Sequence, residues 1–235
     1  MTIAHRLGDE WLLAYAAGTL SEGQSVLVAS HLSFLPDAAT DLRMAERLGG
    51  VLMDELPPTE MSSDALDRLM DRLDALPQEE EDADDRQRDH APVRTEATLV
   101  SATRDEGPSI FPAAVQPLTG RDPDKLTWRF LGPGLKQSIL WRGENGEKLW
   151  LIRGKPGARI PRHAHMGEEM TLVLQGGYQD QHGHYLPGDI EERNGDESHA
   201  IKVDTDGECI ALIFTQGRLK FDNWKPRLIQ PFLGI

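Results

Sequence analysis

Residues 161–169 read Pro-Arg-His-Ala-His-Met-Gly-Glu-Glu, and this stretch decides how the rest of the chain is interpreted. Side chains on a β-strand alternate between two faces, so His163 and His165 are expected to project to the same face. The carboxylate of Glu169, four residues further on, is expected on that face as well. If the chain folds back through a turn that contains glycine, His199 can close the set. Three imidazoles and one carboxylate suit zinc, iron, manganese or nickel.

The flanking segments indicate that this motif lies between β-strands. Residues 170–174 form a short apolar run that ends just before Gly176, and residues 187–189 read Pro-Gly-Asp, which marks a tight turn. The order and spacing of these features resemble the metal-binding motif of the cupins. The matching positions are Gly157, His163, His165, Glu169, Gly176, the Pro-Gly turn and His199. The resemblance implies one divalent metal held by the three histidines and the glutamate, with zinc first and iron, manganese or nickel as alternatives.

From residue 110 to residue 235 the sequence has the texture of a β-sandwich or jelly roll. Short apolar or alternating segments at 128–131, 136–141 and 148–152 are separated by turn residues. A second His-x-His pair, His182 and His184, falls in a predicted hairpin turn and is interpreted as solvated. We predict an all-β cupin barrel here, with the last fifteen residues as an arm outside the barrel or at a dimer interface.

The charge distribution divides the chain into three parts. Residues 1–76 carry 13 acidic and 5 basic side chains, a net charge of −8. Residues 77–109 carry 10 acidic and 4 basic side chains, or −6, and residues 110–235 carry 16 of each. An acidic field repels nucleic acid and favours a basic partner. The charge therefore argues against direct binding of the chain to DNA or RNA.

The first 76 residues have the apolar spacing of four short helices. Ser21 and Gln24 form a capping box at the start of the second helix, and Ser63 is expected to cap the fourth. The fourth helix carries a narrow apolar stripe formed by Leu66, Leu69, Met70 and Leu73. A unit of this size buries little surface and would be marginal alone, so we expect a partner to complete it.

The predicted architecture is α+β and multidomain. A small helical bundle over residues 1–76 is followed by an acidic, flexible linker over 77–109 and by the cupin barrel over 110–235. No apolar run of about twenty residues and no secretory leader is visible, which predicts a cytoplasmic protein that does not enter the membrane. The single cysteine, Cys209, excludes an internal disulfide and lies in an apolar run that is expected to be a buried strand.

Residues 5–20 read His-Arg-Leu-Gly-Asp-Glu-Trp-Leu-Leu-Ala-Tyr-Ala-Ala-Gly-Thr-Leu. An acidic helical module with this start, joined by a linker to a single cupin, resembles the ChrR-type anti-sigma factors over nearly the whole chain. The resemblance implies that the helical module sequesters an extracytoplasmic-function sigma factor and blocks its access to RNA polymerase. It also implies that the cupin is needed for release of the sigma factor under oxidative stress, with singlet oxygen or peroxide as the type of signal.

One departure concerns a zinc site that this resemblance implies for the helical module. The family holds that zinc through an early histidine and a His-x-x-x-Cys-x-x-Cys motif, and His5 and His31 stand at the histidine positions. Leu35 and Ala38, however, stand at the two cysteine positions. Two imidazoles without thiolates make a poor structural zinc site. We therefore predict no N-terminal zinc and expect apolar packing to replace it.

Two functions stay open on the sequence alone. In the first, the protein is a regulator whose acidic helices bind a sigma factor and whose metal-binding cupin responds to a signal. In the second, it is a metal-dependent cupin enzyme, dioxygenase-like, with helices that serve oligomerisation. The separate acidic module favours the regulator, so we assign no catalytic residue and no organic cofactor. Pairing of two cupins into a homodimer is an expectation at the level of the family.

Overall fold

The computed structural model describes residues 3–75, 109–165, 167–195, 198–217 and 219–221. Helices come first and an antiparallel β-structure follows, which confirms the predicted fold class. The described residues up to 49 form one compact unit with those from 109 onward, and residues 50–75 belong to a second unit. The predicted domain boundaries lie at the two ends of the undescribed range 76–108 and stay a prediction. The acidic run of the linker and the C-terminal arm beyond residue 221 lie outside the described residues.

Four helices lie in the described part of the first 76 residues, as predicted, and a fifth, short one follows residue 109. Their bounds are α1 Asp9–Ala16, α2 Glu22–Leu32, α3 Ala38–Asp54, α4 Ala65–Asp74 and α5 Gln116–Thr119. The capping box of α2 is present, because the Ser21 hydroxyl accepts from the Gln24 backbone N–H and the Gln24 side chain accepts from the Ser21 N–H. The predicted cap of α4 is wrong by one residue, since Asp64 occupies the N-cap position and makes no side-chain cap hydrogen bond.

The strands form two antiparallel sheets. Their bounds are β1 Arg129–Gly132, β2 Leu135–Arg142, β3 Glu147–Gly154, β4 Arg159–His165, β5 Glu168–Gln175, β6 Tyr178–Gln179, β7 His184–Tyr185, β8 Ile190–Asn194, β9 His199–Val203, β10 Cys209–Gln216 and β11 Leu219–Phe221. The six-stranded sheet has the order β1-β2-β3-β10-β5-β8, and the five-stranded sheet has the order β11-β4-β9-β6-β7. The predicted histidine motif therefore lies on β4 and the start of β5, which belong to different sheets.

The six-stranded sheet is buried on both faces, and this explains why its central strands read as continuous apolar runs. On its inner face, Val173 and Cys209 pack with Tyr178 and Val203 of the five-stranded sheet. The side chains that alternate with these form the outer face, which packs against α2 and against the segment before β1. Strands β5 and β10 thus contribute side chains to two apolar layers, one on each face of the sheet.

Two sequence predictions about the surroundings of this core can be compared with the structure. Cys209 is the first residue of β10, is buried and carries a free thiol, as the sequence predicts. Burial raises the pKa of that thiol, which makes it a poor nucleophile. In the ranges that the structure describes, no helix combines the length and the apolar character that crossing a membrane requires.

Candidate metal centre

His163 and His199 face each other on neighbouring strands, β4 and β9, where they form a register pair. Their Nε2 atoms are 3.2 Å apart and both side chains are buried inside the barrel. The Nδ1–H of His163 donates to the carbonyl oxygen of Pro161 at 2.8 Å, which places the lone pair of this ring on Nε2. Two imidazole nitrogens that approach each other in this way suit two donors to one shared cation.

Glu169 enters the same interior from the other sheet. It is 5 % exposed, and its carboxylate accepts a hydrogen bond from the Thr171 hydroxyl at 3.4 Å. Burial, with the nearby Glu191 carboxylate as a second cause, raises the pKa of Glu169 to about 8. The expectation that Glu169 shares one strand face with the histidines is wrong, because the chain turns at Gly167 and Glu169 lies on β5. It lies on the inner face of that strand, in register with Arg193.

His165 ends β4, and its backbone pairs with Leu219 of β11. Its side chain lies outside what the structure describes. Of the four predicted ligands, the structure thus brings His163 and His199 together and buries Glu169 on the inner face of the facing sheet. The complete ligand set of three histidines and one glutamate stays a prediction.

A buried polar cluster that the sequence reasoning missed lies beside His199. The Tyr178 hydroxyl donates to Glu191 Oε2 at 2.7 Å, and Arg193 Nε donates to Glu191 Oε1 at 2.7 Å. Arg193 Nη2 also donates to Asp180 Oδ2 at 2.9 Å. The backbone N–H groups of His182 and Gly183 donate to the other oxygen of Asp180. This network holds both carboxylates in place without access to bulk water.

The two carboxylates of this cluster lie next to the outer nitrogen of His199. His199 Nδ1 is 3.7 Å from Asp180 Oδ2 and 3.9 Å from Glu191 Oε1. One ligand atom from each of Asp180, Glu191 and His199 lies within 4.8 Å of the other two, so this trio is a second arrangement that could contribute metal ligands. An acidic environment around Nδ1 favours a proton there, so that Nε2 would be the metal donor, which is how carboxylates usually support metal-binding histidines.

The charges of the interior fit a divalent cation. Glu169, Asp180 and Glu191 carry three negative charges when ionised, and Arg193 supplies one positive charge. A divalent metal would neutralise the remaining charge, and it would also favour the ionised form of Glu169 over the protonated one. The residues present therefore suit the metal that the sequence predicts, and the metal would act there as a charge centre and a Lewis acid.

The sequence contains only a weak signal for the missed cluster. Glu191 and Arg193 sit at alternate positions of β8 and both point inward. Glu192, between them, is also charged, so the local sequence shows three charged residues in a row and no alternation. A run of this kind usually indicates a solvated edge strand, and only the tertiary fold distinguishes its inner face.

The second His-x-His pair lies in a hairpin, as predicted. His184 is the first residue of β7, and its Nε2 is 2.7 Å from Asp204 Oδ2. Its side chain is 46 % exposed, and His182, in the turn, is exposed as well. The interpretation of this pair as solvated rather than metal-binding is therefore consistent with its surroundings.

His31, the second histidine of the family's zinc position, is used as a hydrogen-bonding residue. It is 1 % exposed; its Nδ1–H donates to the carbonyl oxygen of Gly188 at 3.1 Å, and its Nε2 accepts from the Leu7 N–H at 3.4 Å. The ring of His5 packs at a tilt of 38° against that of Tyr185, with the ring centroids 4.6 Å apart. Both ring nitrogens of His31 are thus engaged with the protein. The absence of an N-terminal zinc stays a prediction.

The burial of His31 makes stability depend on pH. Burial lowers its pKa from 6.5 to about 4, so in this range the unfolded chain takes up a proton that the folded chain does not. The part of the free energy of unfolding that this residue contributes is fully present above pH 6.5 and is lost as the pH falls towards 4.

Replacing His31 with glutamine, whose side chain can still donate and accept hydrogen bonds, should make stability less dependent on pH. Between about pH 7.5 and 4.5, the free energy of unfolding of the unaltered protein should fall by about 2–3 kcal/mol more than that of His31→Gln. Urea unfolding of both proteins at the two pH values measures this, and equal losses would contradict the assignment.

Three comparisons with known proteins agree with this architecture. A family model described as the ChrR Cupin-like domain matches residues 118–218. The anti-sigma-E factor ChrR of Cereibacter sphaeroides is 35% identical over 236 residues, which cover 100% of both chains. The crystal structure of Rhodobacter sphaeroides SigE in complex with the anti-sigma ChrR matches with a TM-score of 0.71 and 31% identity, and covers 92% of this chain and 100% of that chain. The similarity thus includes the helices as well as the barrel.

Proposed function

Because this chain belongs to the ChrR family of anti-sigma factors, we propose that it binds an extracytoplasmic-function sigma factor and keeps it from RNA polymerase. The similar protein of known structure is in complex with SigE, which supports a sigma factor as the partner here. Sigma factors and RNA polymerase meet in the cytoplasm, and we assign this protein to the same compartment.

The observation that carries this proposal is the exposed apolar face of α4. Its four large apolar side chains, at positions separated by three and four residues, are between 49% and 68% exposed: Leu66, Leu69, Met70 and Leu73. None of the residues of α4 is buried. A helix with one apolar stripe normally covers that stripe, and a contiguous apolar surface left in water indicates a binding surface. Such a stripe suits a groove on a protein partner.

The end of α3 extends this apolar character in the same compact unit. Val51, Leu52 and Met53 are between 58% and 71% exposed, and Leu56 follows at 66%. The end of α3 and α4 thus both expose large apolar side chains in the described part of this unit. We assign these side chains to sigma-factor binding, because they are among the large apolar side chains that the described helical region leaves exposed.

The charge of the helical region indicates the character of the partner. Residues 1–76 have a net charge of −8, whereas the barrel region is neutral. Acidic surroundings speed association with a basic protein and disfavour nucleic acid. A DNA-binding sigma factor offers basic surfaces, so apolar contacts and charge complementarity point to the same partner.

We assign the cupin to the release step. Its interior can hold a divalent metal through His163, His165, Glu169 and His199, and we propose zinc, with iron, manganese or nickel as alternatives. In this proposal the signal is oxidative, reaches the interior of the barrel and changes the affinity of the helices for the sigma factor. A homodimer through the barrel stays a family-level prediction, which the mass of the full-length protein in solution would test.

Co-purification tests the proposed partner. The full-length protein should retain one extracytoplasmic-function sigma factor of its own cell in a one-to-one complex, and the primary sigma factor of that cell serves as the specificity control. Raising the salt from about 0.1 M to about 0.5 M should weaken the complex by about threefold to tenfold, because salt screens the acidic field. Retention of no such sigma factor would contradict the proposal and would favour the alternative of a metal-dependent enzyme.

A further inference from the structure

The outer face of the six-stranded sheet is an apolar surface that α2 helps to close. Its fully buried members include Leu149, Leu151, Met170, Leu172, Leu212 and Phe214. Leu27 of α2 is 0 % exposed and belongs to the same cluster. Without the helix, part of this face would lie open to water. The contact is therefore worth a substantial share of the stability of both elements.

Gly23 shows how closely α2 approaches the sheet. A Cβ atom at this position would lie 2.7 Å from Trp141 and 3.1 Å from Phe214, which is fully buried. Trp141 is also fixed from the helix side, because its Nε1–H donates to Glu22 at 3.0 Å. The helix backbone itself thus contacts the barrel, which requires glycine for steric reasons.

Strands β5 and β8 contact the helices with the residues that alternate with the metal centre. Glu168, next to Glu169, accepts a hydrogen bond at 3.0 Å from Gln24 of α2. Glu192 accepts one from the Trp11 indole of α1 at 3.0 Å. The same two strands therefore present the interior cluster on one face and the contacts to α1 and α2 on the other.

A buried carboxylate joins the beginning of the chain to the predicted Pro-Gly turn. Asp189 is 3 % exposed; its Oδ1 accepts from the N–H groups of Ala4 and His5 at 2.7 and 3.0 Å, and its Oδ2 accepts from Leu186 at 2.9 Å. Gly188 has a φ of 90°, and a side chain there would collide with Ile3 and Phe34. His31 donates to the carbonyl of the same glycine.

Among the described residues, α1 packs on α2, and α2 packs on strands β3 and β10. α1 and α2 contain 8 and 11 residues, lengths at which isolated helices are marginal in water. No residue of α1 is buried. A thiolate-bound metal is excluded, since the single cysteine of the chain is in β10.

We propose that the outer sheet face and the turn at residues 186–189 form an internal docking surface, and that α1 and α2 keep their folded arrangement only while docked there. Barrel and helices then unfold as one cooperative unit, so that any ligand or metal that stabilises the barrel also stabilises the helices. A change in the barrel interior reaches the sigma factor through this shared stability, without a cysteine switch. The part of the proposal that concerns the sigma factor rests on the proposed function.

Two glycine substitutions in the full-length chain test the docking directly. Gly49 of α3 provides the control, because a Cβ atom there would meet no other atom within 4 Å. Alanine normally stabilises a helix relative to glycine, so Gly49→Ala should leave amide hydrogen exchange unchanged or slow it about twofold to fivefold. Gly23→Ala should do the opposite and speed exchange in α1 and α2 by about tenfold or more, since the methyl group displaces α2 from Trp141 and Phe214. Slower exchange in α2 after Gly23→Ala would overturn the proposal.

A second pair of variants tests the turn. Asp189→Asn removes the charge that three N–H groups contact and should speed exchange in α1 and α2 by about tenfold to a hundredfold. Asp206→Asn, in the exposed turn between β9 and β10, makes the same chemical change and should have no effect. Faster exchange in the helices together with strands β3 and β10 supports the proposal, whereas faster exchange confined to the helices would overturn the claim that barrel and helices unfold as one unit. Exchange as slow as in the unaltered chain would overturn the proposal.

The sigma-factor affinity of the same variants separates this proposal from the function on which it rests. If Gly23→Ala speeds exchange in the helices and weakens the sigma complex by a similar factor, both the docking proposal and the proposed function stand. If the helices loosen but the unaltered chain binds no sigma factor, docking stands and the proposed function fails. If the unaltered and the loosened chains bind the sigma factor equally well, the proposed link between docking and sigma binding is wrong.

Discussion

Replacing both Leu69 and Met70 of α4 by glutamine should weaken the complex with the sigma factor by about 30-fold to 1,000-fold. Both side chains are about half exposed in the free chain and lie at the centre of the apolar stripe. Truncation of apolar anchors at the centre of an interface has the largest effects on binding, and glutamine preserves the helix because its helix propensity is high. Titration calorimetry of the full-length protein with the sigma factor measures the loss.

The same helix offers a matched control. Arg68→Gln with Asp71→Gln also introduces two glutamines and also leaves the net charge unchanged, but alters the opposite, polar face of α4. This variant should keep the affinity within about threefold, because surface charges at the rim contribute little. Equal affinities for both double variants would show that the stripe does not contact the sigma factor.

Replacing His163 with glutamine should reduce the metal content of the full-length protein from one divalent ion per chain to less than about a tenth of that, because loss of a ligand from a closed site removes most of the affinity. His199→Gln should have the same effect, since its Nε2 lies 3.2 Å from that of His163. Elemental analysis of the purified proteins measures the content and also identifies the metal. Zinc is the expected result.

The hairpin histidines provide the control for this experiment. His182→Gln with His184→Gln removes two imidazoles from the same barrel and should leave one metal ion per chain. His31→Gln should likewise leave the content unchanged, because both ring nitrogens of His31 already make hydrogen bonds. Two metal ions per chain, one of them lost with His31, would contradict the prediction that the helical region has no zinc. A metal content unaffected by His163→Gln would show that another set of ligands binds the metal.

The features that the sequence predicts well are those that depend on neighbouring residues. The capping box at Ser21 and Gln24 and the apolar run at Cys209 carry their signal within a few positions, and the structure has both. The Pro-Gly turn is predicted for the same reason, although its second role is not. Gly188 is needed for a positive φ and also because Ile3 and Phe34 pack against its bare backbone.

The features that the sequence does not predict depend on which sheet a strand joins. Glu169 follows His165 closely in the chain, yet the two lie on strands of different sheets. Glu191 and Arg193 point inward only because β8 pairs with β5 at the edge of the six-stranded sheet. Likewise, nothing local shows that α2 covers the outer sheet face, since Leu27 could equally pack within a helical bundle. Register and sheet order are long-range properties, and they decide which charged residues become buried.

Transcription with purified components tests the anti-sigma function most directly. The cognate extracytoplasmic-function sigma factor directs core RNA polymerase to its promoter, and the full-length protein is added in rising amounts. An equimolar amount should reduce the transcript to less than about a tenth, as expected for a tight one-to-one complex, whereas the Leu69→Gln, Met70→Gln variant should leave most of it. Unchanged transcription at about a tenfold excess of the unaltered protein, at concentrations above those of a tight complex, would contradict the assignment of this chain as an anti-sigma factor.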